Sequence, residues 1–226
     1  MPERPAIVTF VTRALTAVAD PERAVAMAAY MKTDMPFHGV SSPARRPIAR
    51  DLKRLFPPGS SAEYTNNVEV LWALAHREEK YLAIDYALSF KKLIVFEQID
   101  LYQRMVVEGA WWDLVDVIAS DLVGRVVLDK RERMRPILEK WIDDDNMWLR
   151  RTALLAQLRH KGATDEQMLF DFCRRRAHEK EFFIRKAIGW ALREYARVDP
   201  EAVRTFLVEN EPYLSGLSRR EAAKHL

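Results

Sequence analysis

WLRRTALLAQLRHKG (148–162) and FFIRKAIGWALREYA (182–196) decide the fold of this chain. Each opens on an aromatic and continues with a basic pair, then small residues, then an arginine near its end. Apolar positions recur every three or four residues in both, the period of a helix rather than the alternation of a strand. The two segments are offset by about 35 residues, the spacing of tandem helix pairs.

The rest of the chain extends the same pattern. Pro21 opens a helical segment through Tyr30 and Lys32, and Ser42-Pro43 reads as an N-cap followed by proline at the first helical position. Further stretches are expected over roughly 61–75, 78–92, 96–108, 111–127, 131–142, 146–160, 165–177, 181–197, 200–210 and 217–225. Pro57-Pro58-Gly59, Gly162 to Asp165, Asp199-Pro200 and Asn210-Glu211-Pro212 supply the stops. Such helices cannot bury their apolar faces singly, whereas stacked pairs share one core and present a concave surface. The expectation is an all-α chain, an α-solenoid of HEAT-like antiparallel helix pairs, forming one domain over residues 1–226. A compact helical bundle is the competing form.

Composition agrees with helices throughout. Of 226 residues, 49% are apolar, 31% are charged and only 7 are glycine. The formal charge of +3 announces no polyanionic partner, but a pI near 9.0 permits one if the basic residues share a face. Cys173 is the only cysteine, which excludes an intramolecular disulfide and a thiolate metal site and reads as a buried, inert thiol. No apolar run approaches a membrane span, and the N-terminus carries Glu3 and lacks a signal-peptide cleavage pattern, so a cytoplasmic location is expected.

Conventional catalytic motifs are missing. No GxxxxGK[ST] or GxGxxG cradles a phosphate, no HExxH or HxE…CxxC holds zinc, and no GxSxG elbow presents a serine. His38, His76, His160, His178 and His225 lie on different segments and read as surface or turn residues rather than ligands. No cofactor and no metal are expected.

What remains is aromatic residues, carboxylates and arginines. In WWDLVD (111–116), helical spacing puts Trp112 and Asp116 one turn apart on one face. Trp111, Leu114, Val115 and Ile118 form a separate apolar stripe. A carboxylate beside an indole suits a site that stabilises positive charge; the motif alone reads equally as a helix start with first-turn acids. Trp190, in AIGWALRE, is either a core residue or an indole given room by Gly189 and its alanines. Arg150-Arg151 is either a solvated pair or, through a guanidinium fork held by packing, a phosphate contact. Tyr30, in MAAYMK, reads by default as core.

Five segments together resemble the DNA alkylation repair family, the AlkD-like HEAT-repeat DNA glycosylases. They are AAYMKTDMPFHGVSSPARR (28–46), WWDLVD (111–116), WIDDDNMWLRRTALLAQL (141–158), KEFFIRKAIGWALREYA (180–196) and SRREAAKHL (218–226). The resemblance implies that Trp112, Asp116 and Trp190 face the lesion, that Arg151 holds backbone phosphate and that Tyr30 shields the site. It also implies a concave DNA-binding face, excision without a base-flipping pocket, double-stranded DNA as partner and action as a monomer. Ser42, Arg45, Arg46, Arg193 and Arg197 are candidates for phosphate contacts, each as readily a solvated side chain. This chain departs from the pattern at Ser41, where a glutamine in family members would reach further, and at His38, in place of a more usual apolar residue.

The implied chemistry matches the residues available. A purine alkylated at N3 or N7 is cationic, hence a good leaving group that needs no general acid. Hydrolysis of its N-glycosidic bond develops oxocarbenium character on the sugar, which Asp116 would stabilise while orienting water. The leading expectation is a monofunctional glycosylase for 3-methyladenine, 7-methylguanine and bulkier adducts. A non-catalytic DNA-binding protein and a protein-interaction scaffold are the alternatives.

Overall fold

A computed structural model describes residues 5–226, so Glu3 and the side chain of His225 lie outside the described residues. The described residues contain helices and turns and no strand, as expected of an α-solenoid. They form two compact units, 1–94 and 95–226.

The first unit contains α1 (Ala6–Thr16), α2 (Pro21–Met31), α3 (Ser42–Leu55), α4 (Ser61–Trp72) and α5 (Arg77–Ser89). Its helix starts follow from local chemistry. Asp20 Oδ1 accepts the Arg23 amide at 2.9 Å ahead of Pro21, and Ser60 Oγ accepts the Glu63 amide at 3.1 Å. For α3 the N-cap is Ser41 rather than Ser42, and Ser42 is the exposed first helical residue. Leu15, Leu52, Tyr64, Val68, Leu71 and Leu82 bury completely to make the core between α1, α3, α4 and α5.

The second unit contains α6 (Ile99–Gly109), α7 (Trp112–Val117), α8 (Gly124–Asp129), α9 (Arg131–Ile142) and α10 (Met147–Leu155). It continues with α11 (Glu166–Arg176), α12 (Phe182–Tyr195), α13 (Pro200–Glu209) and α14 (Gly216–Ala222). Asn146, Asp165, Asp199 and Ser215 each cap the helix that follows them with a side-chain oxygen. The two segments that announced the fold are α10 and α12. They pack on each other, and each packs on the helix before it, α9 and α11 respectively. That is the neighbour-on-neighbour arrangement of tandem pairs.

Two expectations change. The stretch 111–127 is not one α-helix: Ile118–Val123 is a π-helical turn between α7 and α8. The helix expected over 146–160 ends at Leu155, and His160 beyond it is buried rather than at the surface. Its Nε2 donates to the Gly124 carbonyl at 2.8 Å, and burial lowers its pKa, so it sits as a neutral ring. Cys173 is fully buried as expected, and burial pushes its thiol pKa up.

Gly189 has a different purpose from the one its neighbours suggested. A Cβ there would lie 2.5 Å from Glu221 Cβ and 2.7 Å from the Ser218 carbonyl, so its absence lets α12 and α14 touch backbone to backbone. Gly189→Ala is therefore expected to destabilise, because overpacking costs about 1–3 kcal/mol and helix propensity returns only about 1. Gly162→Ala, where a Cβ meets nothing within 4 Å, is the matched control. A urea midpoint lowered in the first and unchanged in the second checks this.

Candidate active site

An aromatic cluster sets the position of α7. Trp111 is its extended N-cap (φ −154°), and the indole turns away to pack against Trp148 on α10 and Phe183 on α12. Ring centroids lie 6.0 and 5.5 Å from Trp111, and Trp148 and Phe183 are 5.0 Å apart. Leu114, Val115 and Ile118 bury completely behind them. The opposite face of α7 is thereby left to Trp112, which is 38% exposed, and Asp116 one turn on.

Asp116 meets Arg151 side on. Arg151 Nε donates to Oδ1 at 2.7 Å and Nη2 to Oδ2 at 2.9 Å, while Nη1 donates to the Phe183 carbonyl. The Arg151 side chain is 3% exposed and Asp116 13%. A planar fork on a carboxylate fixes orientation as well as charge. Burial pushes the Asp116 carboxyl above its ordinary value, the Arg151 fork pulls it down, and Asp113 adds a smaller upward push. Just beyond, Ser120 Oγ donates to the Asp116 carbonyl oxygen at 2.8 Å where the π turn interrupts the helical ladder.

Trp112, Asp116, Arg151 and Trp190 converge on one cleft of about 350 Å³. Phe182, Phe183, Lys186 and Arg193 complete its lining. Phe182, Lys186 and Trp190 follow each other at four-residue spacing on α12, with Arg193 three further on, so one helix face supplies half the wall. The two cations are held from α14: Glu221 accepts Lys186 Nζ at 2.8 Å and Arg193 Nη1 at 2.7 Å. Hydrogen bonds from Lys186 and Lys224 bring the Glu221 pKa down to about 2.

Other candidate residues lie elsewhere. Arg197 is 56% exposed, pairs with Glu194 at 3.2 Å and lines a separate cavity of about 620 Å³ between α10 and α12. Tyr30, Ser42, Arg45 and Arg46 belong to the first unit. Tyr30 is 78% exposed rather than in the core, and Arg46 is exposed too. Arg45 reaches Asp85 at 3.3 Å and stands over the Tyr81 ring at 4.5 Å. Sequence reasoning missed Phe182, Phe183, Lys186 and Glu221 as parts of the cleft. For the α12 residues the signal was present, since their spacing from Trp190 is helical.

An all-helical chain of stacked helix pairs, with a carboxylate locked beside an exposed indole, is a protein of the α-solenoid class. The chain belongs to the DNA alkylation repair enzyme family, whose model matches residues 11–226. It is similar to a solved structure described as a predicted DNA alkylation repair enzyme from Enterococcus faecalis, at 32% identity and a TM-score of 0.84. That likeness covers 92% of this chain and 96% of the other. A search of curated proteins gives no significant match. Family membership assigns the chain to repair of alkylated DNA.

Proposed function

We propose that the cleft is the active site of a monofunctional DNA glycosylase acting on N3- and N7-alkylated purines in duplex DNA. The observation that supports this most is the Asp116 carboxylate, oriented by a buried guanidinium and flanked by the exposed Trp112 indole. In the proposed step the C1′–N bond breaks and its electron pair neutralises the cationic purine, which leaves without protonation. Water, oriented by Asp116, adds to C1′ and its proton passes to bulk solvent, with the ionised Asp116 stabilising the cationic sugar. Each carboxylate oxygen keeps a lone pair after accepting from Arg151, so it can still accept a hydrogen bond from water. Trp112 and Trp190 add cation–π contacts of about 0.5–2 kcal/mol each.

In this reading Arg151, which donates to both Asp116 oxygens and to the Phe183 carbonyl, serves to position the carboxylate. Phosphate contact passes in this reading to Lys186 and Arg193, which Glu221 holds beside the cleft. Tyr30, Ser42, Arg45, Arg46 and Arg197 would add contacts to the duplex backbone, giving salt-sensitive affinity. The reading keeps the lesion out of a base-flipping pocket, the protein monomeric and its place of action the nucleoid. No described helix is long and apolar enough to cross a membrane.

The test is chromatographic detection of 7-methylguanine and 3-methyladenine released from methylated duplex DNA. Release is expected from the wild-type chain with no strand cleavage, since this reading gives Lys186 a phosphate-binding role and assigns no lysine as nucleophile. Salt-sensitive binding without release would assign the chain to the non-catalytic alternative, and absence of both would leave an interaction scaffold. The pH profile carries a further expectation. Asp116 acts ionised, so release is full above its pKa and falls about tenfold per unit below it. Because burial raises that pKa, the acid limb should lie above the ordinary 3.8 and vanish in Asp116→Asn.

A further inference from the structure

We propose that His38, His76 and Glu79 form a zinc-binding clasp in the first unit, independent of the glycosylase reading. Sequence reasoning treated the histidines as scattered, yet the fold stacks two of them. The rings of His38 and His76 lie 3.8 Å apart and 22° from parallel. Glu79 stands beside both: its Oε1 is 3.3 Å from His38 Nε2, and its Oε2 is 3.5 Å from His76 Nδ1. One donor atom from each residue falls within 4.8 Å of the others.

The two carboxylate–imidazole separations suit a small divalent ion, onto which the half-exposed His76 ring would turn to close the set. Zinc binds imidazole nitrogen and carboxylate oxygen at about 2.0–2.2 Å, which places tetrahedral donors roughly 3.3–3.5 Å apart. Two imidazoles with one carboxylate are a borderline donor set that favours zinc over magnesium or calcium. His76 keeps 35% of its side chain exposed, giving an entry path and a fourth position for water, while Glu79 is 4% exposed.

The surroundings hold the donors in place without the ion. Glu78, fully buried next to Glu79, accepts the backbone amides of His38, Gly39 and Val40 at 2.8–2.9 Å. The Arg77 amide donates to the Pro36 carbonyl at 2.9 Å, and Glu79 accepts the His76 amide at 2.7 Å. The loop from Pro36 to Val40 is thus sewn to the start of α5 before any metal arrives. Gly39, at φ +79°, makes the turn that delivers His38. Glu78 is turned to three backbone amides whereas Glu79 stands against both rings, which makes Glu79 the carboxylate for the ion. Zinc would fasten this loop to α5 by a third kind of bond.

The experiment titrates the full chain, stripped with a chelator, with zinc chloride in a calorimeter, and follows cobalt substitution by its visible absorption. Wild type is expected to bind one zinc ion per chain and to melt at a higher temperature with it. His38→Leu and His76→Ser should each bind at least tenfold more weakly and lose the thermal shift. Serine keeps a good N-cap on α5, which guards against an unfolded variant, and circular dichroism checks both. His178→Ser, at an exposed histidine, should bind as wild type. Absence of stoichiometric binding by the wild type, or equal binding by His38→Leu and His76→Ser, overturns the proposal.

Discussion

Replacing Asp116 by asparagine is expected to slow release of 7-methylguanine by about a thousandfold while duplex binding changes little. A carboxylate about 4 Å from a developing unit charge, at an effective dielectric near 20, contributes about 4 kcal/mol. Each 1.36 kcal/mol is about tenfold in rate, provided the attraction exists only in the transition state. Asparagine keeps the shape of the side chain and one oxygen for Arg151, but it leaves a buried guanidinium without its counter-charge, so a urea midpoint and circular dichroism establish that the variant is folded in the assay. The charge is what disappears. Single-turnover release under saturating enzyme measures the chemical step, and a fluorescence titration with the same duplex measures binding. A variant within tenfold of wild type would remove Asp116 from the chemistry.

Arg151→Met is expected to lower stability by about 3 kcal/mol. Removing one member of a buried ion pair leaves the other charge uncompensated, at a typical cost of 3–5 kcal/mol. The low end applies because Asp116 keeps 13% of its surface in solvent and can take up a proton. At the scale of this chain that corresponds to a melting temperature lowered by roughly 6–12 °C. The sign with pH follows from Asp116. Without its guanidinium the carboxyl pKa rises further, and the neutral form costs little to bury. The deficit should therefore be largest at neutral pH and shrink as pH falls through the raised value. Adding Asp116→Leu to Arg151→Met removes the orphan charge. That double variant should recover much of the stability and none of the activity, separating support of the fold from chemistry. Urea midpoints at two pH values and the release assay check both arms.

Helix identities were readable because their signals are local. Pro21, Pro200 and the acidic or hydroxyl caps mark starts within a few residues, and WWDLVD already implied that Trp112 and Asp116 share a face. Partnerships were not readable. Arg151 lies 35 residues from the carboxylate it grips, and nothing in its own segment separates a solvated arginine from one buried by the stacking of α7, α10 and α12. His38 meets Glu79 across 41 residues for the same reason. Phe182 and Lys186 fall between these cases: their spacing from Trp190 placed them on its face, but only the packing of α12 showed which face bounds the cleft. The π turn has no residue signature in IASDLV, where α6 and α10 both pack against it.

That turn makes the aim of Asp116 a matter of chain length. Each residue in a helix advances the side chains by about 100° around the axis. The wider turn over Ile118–Val123 absorbs phase between the buried anchors Val126 and Val127 and the residues that face the cleft. Deleting one residue from the regular turns beside it, with every site side chain intact, would swing Trp112 and Asp116 around the helix and away from Arg151. The cleft is thus encoded partly by how many residues the segment has, a property that comparison of side chains position by position does not see.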